Sequence, residues 1–367
     1  MSFRTRAFSA AAAALMLSSC GAEDTAPAAT AAATVTLPPA SSGAVSMLDD
    51  RETDEPAPAQ ESASAEKPAG VCPEYYNVVP EKLFYDTAPI VQAYKTGKRG
   101  GLDEMQNEIL DKAAEILSWV VNDYMTDYEK ELAVHDYIVT NCTYDEGSRA
   151  VIPKPSENCD NPYGALIGGS AICTGYSTAF RMLMEMLDIP CETVYYREPD
   201  RSEHAWNIVT IDGAKYYVDV TWDDPVPDKS KRLTYHRYFN VSRRDMERVH
   251  TFPETAPDTP VLKDTYASHN ISPQPADEEA LRALADKAIE EGVNSIYFIP
   301  AEGSLWSSGF SPEGDAFKIS DSDLRKSVDR VMSKAGCKFT KAFYADSDKG
   351  EVLCLMIFKE FRDDEQG

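Results

Sequence analysis

Basic residues are scarce in this chain of 367 residues: 36 Lys and Arg stand against 61 Asp and Glu, a net charge of −25. Without a Lys/Arg footprint the protein cannot track a phosphate backbone, which excludes nucleic acid as a partner class. It cannot dock electrostatically on anionic lipid either. Beyond the N-terminus no stretch approaches the roughly 18 consecutive apolar residues of a spanning helix. There is no His-Glu-x-x-His, no close Cys/His pairing and no acidic loop with EF-hand spacing. No metal or other cofactor is therefore expected. No internal repeat is visible. What is present is a hydrophobic content of 43%, enough for a packed core. The length suggests about two domains.

Arg4 and Arg6 open a basic start, and Ala7 to Leu17 is an apolar run interrupted only by Ser9. It is too short to span a bilayer but suits a secretory signal. Leu17-Ser18-Ser19-Cys20-Gly21 follows and resembles the lipobox of bacterial lipoproteins, which implies lipidation of Cys20 and a chain exported and anchored outside the cytoplasm. Residues 21–70 are rich in Ala, Pro, Ser, Thr and Glu, with nine acids against two bases, and read as a self-repelling tether.

Farther on, 103–121 has the apolar spacing of an amphipathic helix, and Thr126-Asp127-Tyr128-Glu129 is a capping box opening a second. Ile152 to Gly169 reads as a long loop and 172–187 as a third helix. Strands are expected over 192–197, 204–211 and 214–221, the last two joined by Asp212-Gly213. A Pro-, Thr- and Asp-rich stretch around 252–275 marks a boundary between a unit over 71–260 and a small α/β unit over 264–367. The latter reads as helix 277–291, strand 295–300, helix 321–335 and strands 338–346 and 351–359. Asp321 is placed to cap the second helix and Gly336 to end it.

Cys173 falls at the start of the third helix, where the helix dipole favours a thiolate. A two-residue turn at Asp212-Gly213 pairs Ile211 with Ala214, so His204 faces Thr221 and Trp206 faces Asp219. His204 and Asp219 then share a face as diagonal neighbours, about 7–8 Å apart at the backbone and within side-chain reach. Cys173 as nucleophile, His204 as base and Asp219 as orienter is the division of labour of an activated-nucleophile triad. Asp223 and Asp224 are rival orienters, read as a solvated turn before Pro225. His236 and His269 read as surface residues. Trp206 is placed to shield the His–Asp pair. The backbone N–H of Cys173, Tyr144 and Tyr163 are candidate oxyanion donors.

Tyr163-Gly164-Ala165-Leu166, Ala171-Ile172-Cys173-Thr174-Gly175-Tyr176, His204-Ala205-Trp206-Asn207 and Tyr217-Val218-Asp219-Val220-Thr221-Trp222-Asp223-Asp224-Pro225 together resemble the bacterial transglutaminase-like superfamily. His135-Asp136-Tyr137, Thr143-Tyr144-Asp145, Tyr238-Phe239-Asn240 and the closing His250 fit as well, and the resemblance covers roughly 105–255. The subgroup resembled includes transglutaminase/protease-like proteins linked to cytokinesis in some organisms. The resemblance implies an α+β fold with a papain-like core, a helix bearing the Cys packed on an antiparallel sheet that carries the His and Asp. It implies acyl transfer through a thioester. Animal transglutaminases carry Trp after the nucleophile, where this chain has Thr174. Hydrolysis of a protein, peptide or cell-wall peptide is therefore favoured over crosslinking, and no calcium dependence is carried over. The alternative is a binding or scaffolding lipoprotein with this fold and no catalysis. Of the remaining cysteines, Cys354 looks like core, and Cys142 with Cys159 is the disulfide pair to test.

Overall fold

A computed structural model describes residues 71–76, 84–146, 156–197, 203–224, 233–250, 256–314 and 316–359. The signal, the lipidation site Cys20 and the tether lie outside them. All described residues belong to one compact unit, Ser42–Gly367.

In chain order the elements are β1 (Val71–Tyr76), α1 (Ala88–Thr96), α2 (Glu104–Val120), α3 (Asp127–Asn141), β2 (Thr143–Tyr144), β3 (Ser170–Ala171), α4 (Cys173–Met186), β4 (Cys191–Arg197), β5 (Glu203–Ile211) and β6 (Ala214–Val218). Then follow α5 (Arg243–Glu247), α6 (Tyr266–His269), β7 (Ile271–Ser272), α7 (Glu278–Glu291), β8 (Ser295–Phe298), α8 (Leu305–Ser308), β9 (Phe310–Glu313), β10 (Ala316–Ile319), α9 (Ser322–Lys334), β11 (Cys337–Ser347) and β12 (Gly350–Lys359). The fold is α+β. One sheet has the order β1-β4-β5-β6, antiparallel except for β1 on β4. A second has the order β7-β8-β12-β11-β10-β9, and β2 pairs with β3.

Local chemistry explains the helix starts. Asp103 with Gln106, and Thr126 with Glu129, form reciprocal capping boxes at the heads of α2 and α3. Each N-cap is worth about 1 kcal/mol. Asp321 caps α9, and Gly336 follows it with φ +69°. Asp212 and Gly213 both have positive φ, 49° and 81°, as a two-residue hairpin turn that follows strand twist requires. That turn sets Ile211 opposite Ala214 and carries the register to Asn207 opposite Val218, where the ladder ends.

Alternation along β5 divides its side chains. Trp206 and Ile208 pack with Val194, Tyr217, Val241 and Met246. On the other side Asn207 donates to the Ser177 carbonyl on α4 at 3.1 Å. Helix α4 is buried nearly all round, and its Tyr176, Phe180 and Leu183 join the main core with Ile109 of α2 and Ile138 of α3. Burial of each such side chain contributes about 1.5–3 kcal/mol. The same core reaches Tyr297, Phe343 and Cys354 of the second sheet, while α7 and α9 cover a separate cluster with Phe298, Leu353 and Leu355.

Three expectations need correction. The stretch read as a loop up to Gly169 contains a turn of π-helix, Gly164–Gly168, and the short strand β3 follows directly after it. The strand expected over 214–221 stops at Val218, because the Asp219 side chain captures the next backbone donors. Cys142, Cys159, Cys173, Cys191, Cys337 and Cys354 are buried and none of them is in a disulfide, so the expected Cys142–Cys159 bond is not formed.

Candidate active site

Cys173 is the first residue of α4 and is 8% exposed, packed among Phe84, Tyr195 and Ala205. The segment before it is clasped by the chain around Cys159, whose carbonyl accepts the Ile172 N–H at 2.8 Å. Gly175 makes that crossing possible: a Cβ there would lie 2.4 Å from the Cys159 carbonyl oxygen. At Gly164 a Cβ would lie 2.3 Å from the Asn158 carbonyl oxygen. Two glycines thus let one loop close over the head of the helix, where the first-turn N–H groups have no intrahelical acceptor.

His204 stands near the start of β5, opposite Tyr196, with its side chain 18% exposed. Its Nε2 lies 2.6 Å from Asp219 Oδ2, and it is hydrogen-bonded to Cys173. With Nε2 committed to Asp219, Nδ1 is the ring nitrogen left for the thiol. Burial disfavours the imidazolium, but the charge and hydrogen bond of Asp219, with the Cys173 contact, override it and raise the pKa to about 10.

Asp219 is fully buried just beyond β6. Its N–H donates to the Tyr238 carbonyl at 2.9 Å. Its Oδ1 accepts from the N–H groups of Thr221 and Trp222, both at 3.1 Å. Its Oδ2 accepts from His204 and, at 2.9 Å, from His250 Nε2. Burial alone would raise its pKa, yet the two imidazoles hold the carboxyl well below the usual carboxylate range. The three candidate residues are thus brought together. Asp219 reaches His204 from a tight turn, not from the paired position opposite Trp206.

Aromatic rings enclose this pair. Trp206, 1% exposed, stacks on His250 at 4.7 Å and 6°, and lies 5.7 Å from His204. Trp222 lies 5.4 Å from His204 and 4.1 Å from His250 and is partly open to solvent. Of the tyrosines considered as oxyanion donors, Tyr163 directs its hydroxyl to Glu108 on α2, and Tyr144 packs against the main core.

The reading of Asp223 and Asp224 as a solvated turn is wrong, since both are buried. Asp223 Oδ2 meets His135 Nε2 at 3.1 Å, and its Oδ1 accepts the Tyr238 N–H at 3.0 Å. Asp224 accepts from the Tyr176 hydroxyl at 2.5 Å, tying the turn to the first part of α4. His236 is not a surface residue either. It is 2% exposed, stacks on Tyr266 and meets Asp136 Oδ1 at 2.7 Å. His269 is exposed and stacks on Tyr128. His135 is buried between Asp136 and Asp223, and these carboxylates outweigh burial to lift its pKa to about 9.

His135, Asp136 and His236, and likewise His204, Asp219 and His250, bring potential metal-ligand atoms within 4.8 Å of one another. Their closest contacts, 2.7 Å and 2.6 Å, are hydrogen-bond distances. Tetrahedral zinc would spread its ligands to about 3.3 Å. At these distances both sets share protons.

Sequence reasoning gave no role to His250, to the His135–Asp223 pair or to Tyr176–Asp224. Each joins positions 31 to 88 residues apart, beyond any hairpin register. His250 left one signal, its fit to the resemblance.

Residues 111–220 match the model of the family described as the Transglutaminase-like superfamily. None of the curated proteins compared with the chain matches it. Among solved structures the chain is similar to one described as a TGase, at 18% identity over 35% of this chain and 36% of that one, with a TM-score of 0.26. It is also similar to a "Putative Cysteine Protease" from Cytophaga hutchinsonii, at 18% identity over 42% and 46%, TM-score 0.24. A third, a "putative protease" from Parabacteroides distasonis, has 10% identity over 75% and 52%, TM-score 0.24. The chain spans about a third to a half of the length of these structures.

Proposed function

We propose that the protein is a cysteine acyl-enzyme of transglutaminase-like type, exported and lipid-anchored through Cys20, that hydrolyses amide bonds in a protein, peptide or cell-wall peptide. The observation that carries this reading is the unbroken chain of hydrogen bonds from Cys173 through His204 to a buried, ionised Asp219. The family match over residues 111–220 supports it, since that superfamily includes cysteine peptidases and acyltransferases.

The steps follow from the geometry. His204, an imidazolium at neutral pH, already holds on Nδ1 the proton it shares with Cys173, and Sγ bonds to the acyl carbon. The carbonyl π electrons move onto oxygen, where the Cys173 backbone N–H at the helix head can meet the developing charge. As the C–N bond breaks, His204 returns the proton to the departing amine. The thioester left on Cys173 is cleaved by water, which gives one proton to His204. The acid product departs, and that proton is again the one His204 shares with Cys173. Asp219 keeps Nε2–H fixed throughout and stabilises the imidazolium without itself being protonated. A primary amine in place of water would give transfer; Thr174 in place of Trp favours water. Residues 264–367 form the second unit of this reading.

The test is iodoacetamide labelling of the full chain at pH 7, mapped by mass spectrometry, beside His204→Ala. Cys173 is expected to react first among the cysteines, and its rate to fall by about tenfold or more in the variant. An equal rate in both proteins overturns the reading and leaves a non-catalytic binding protein. Amine incorporation into a glutamine peptide, scored against release of hydrolysis products, then separates transfer from hydrolysis.

A further inference from the structure

We propose that His250 is a positioning residue for this site: a second imidazole that pins the same Asp219 oxygen that orients His204. The inference rests on the acyl-enzyme reading above. Two Nε2 atoms converge on Asp219 Oδ2, His204 at 2.6 Å and His250 at 2.9 Å. An ionised carboxylate only accepts, so both carry protons. With Oδ1 filled by two backbone N–H groups, all four donors point at one carboxylate and leave it no free rotation.

His250 is built to hold still. Its side chain is 4% exposed, its ring lies flat on Trp206, and Trp222 packs 4.1 Å away. Its own N–H bonds to the Met246 carbonyl at 2.9 Å, and Met246 packs in the same cluster as Trp206. Burial, with the charge of His204 nearby, pushes its pKa down despite Asp219, so His250 donates as a neutral group. A neutral donor shares the charge on Oδ2 without competing for the proton that His204 carries. It touches neither the thiol nor the reacting carbonyl.

A plain aromatic filler would occupy the same place, and two substitutions in the full chain separate the roles. His250→Phe keeps a ring on Trp206 and removes the donor. His250→Gln keeps a donor near the Nε2 position and removes the ring. The readouts are the proton NMR resonance of His204 Nε2–H and the alkylation rate of Cys173 at pH 7. His250→Phe is expected to broaden or abolish the resonance and to slow alkylation by about tenfold. His250→Gln is expected to keep the resonance and to lie within about twofold of wild type. Wild-type behaviour of His250→Phe in both readouts overturns the proposal. So does a His250→Gln variant that melts as wild type does and has lost both. If His250→Phe does not fold, His250→Gln decides alone by the same criteria. The resonance needs no turnover. Failure of the His204→Ala control would therefore sink the acyl-enzyme reading while still leaving the His250–Asp219 claim to stand or fall on the spectrum.

Discussion

Replacing Asp219 by Asn removes one charge and leaves the shape. In the wild type the His204 pKa is raised from 6.5 to about 10. That gap of roughly 3.5 units corresponds to about 5 kcal/mol favouring the imidazolium. Burial acts in the opposite direction, so the attractive interactions exceed that figure, and Asp219 leads them. His204 should therefore titrate lower by about 2 or more in Asp219→Asn, moving toward neutrality. A histidine proton NMR titration of wild type and variant, with His204→Gln to assign the signal, measures this directly. The sign for stability follows. A raised imidazolium pKa contributes stability that is complete below pH 6.5 and lost as pH rises through about 10. The wild type should thus lose an advantage over Asp219→Asn across that window. If His204 titrates within one unit of its wild-type value in the variant, Asp219 is not the source of the shift and the electrostatic account of the site fails. Under the proposed function, turnover in the same variant falls by about four orders of magnitude.

Other expectations concern the frame around the site. Fully buried Glu131 accepts from Asn240 Nδ2 at 2.7 Å, and burial raises its pKa to about 8. Its contribution is favourable below pH 4.5 and lost as pH rises to about 8, a loss of about 3 kcal/mol by pH 7. Glu131→Gln keeps an acceptor for Asn240 and should show no such decline in urea unfolding between pH 5 and 8. A parallel decline in both proteins counts against the buried-acid account. Gly175→Ala should lower stability by about 1–3 kcal/mol through its contact with the Cys159 carbonyl, read as a drop in melting temperature. An unchanged melting temperature would mean that the loop does not bear on the helix.

The tight turn at Asp212-Gly213, the two capping boxes and the long amphipathic helices were legible because each signal is local. The arithmetic from that turn correctly paired Ile211 with Ala214 and brought Asp219 near His204. It failed in detail because Val220, Thr221 and Trp222 favour strands, while the Asp219 side chain binds their backbone and curls the chain instead. Helix α1, strand β1 and the short elements 305–308, 310–313 and 316–319 were missed. The last three have four residues each, among Gly, Ser and Pro; the two strands take their stability from the sheet they join, and the single helical turn is too short to stand alone. Asp223, Asp224 and His236 look like solvent residues by type. Partners 15 to 100 residues away justify burying them.

The turn after β6 also bears on the order of events as the chain folds. Its acids close loops of very different size: to His204 across 15 residues, His250 across 31, Tyr176 across 48 and His135 across 88. Such contacts form only after the entropy of each loop has been overcome, and therefore late. In synthesis, Cys173 leaves the ribosome well before residue 250 exists. Until that point Asp219 lacks the second of its two imidazole donors, so under the proposed function the site is completed only as folding is.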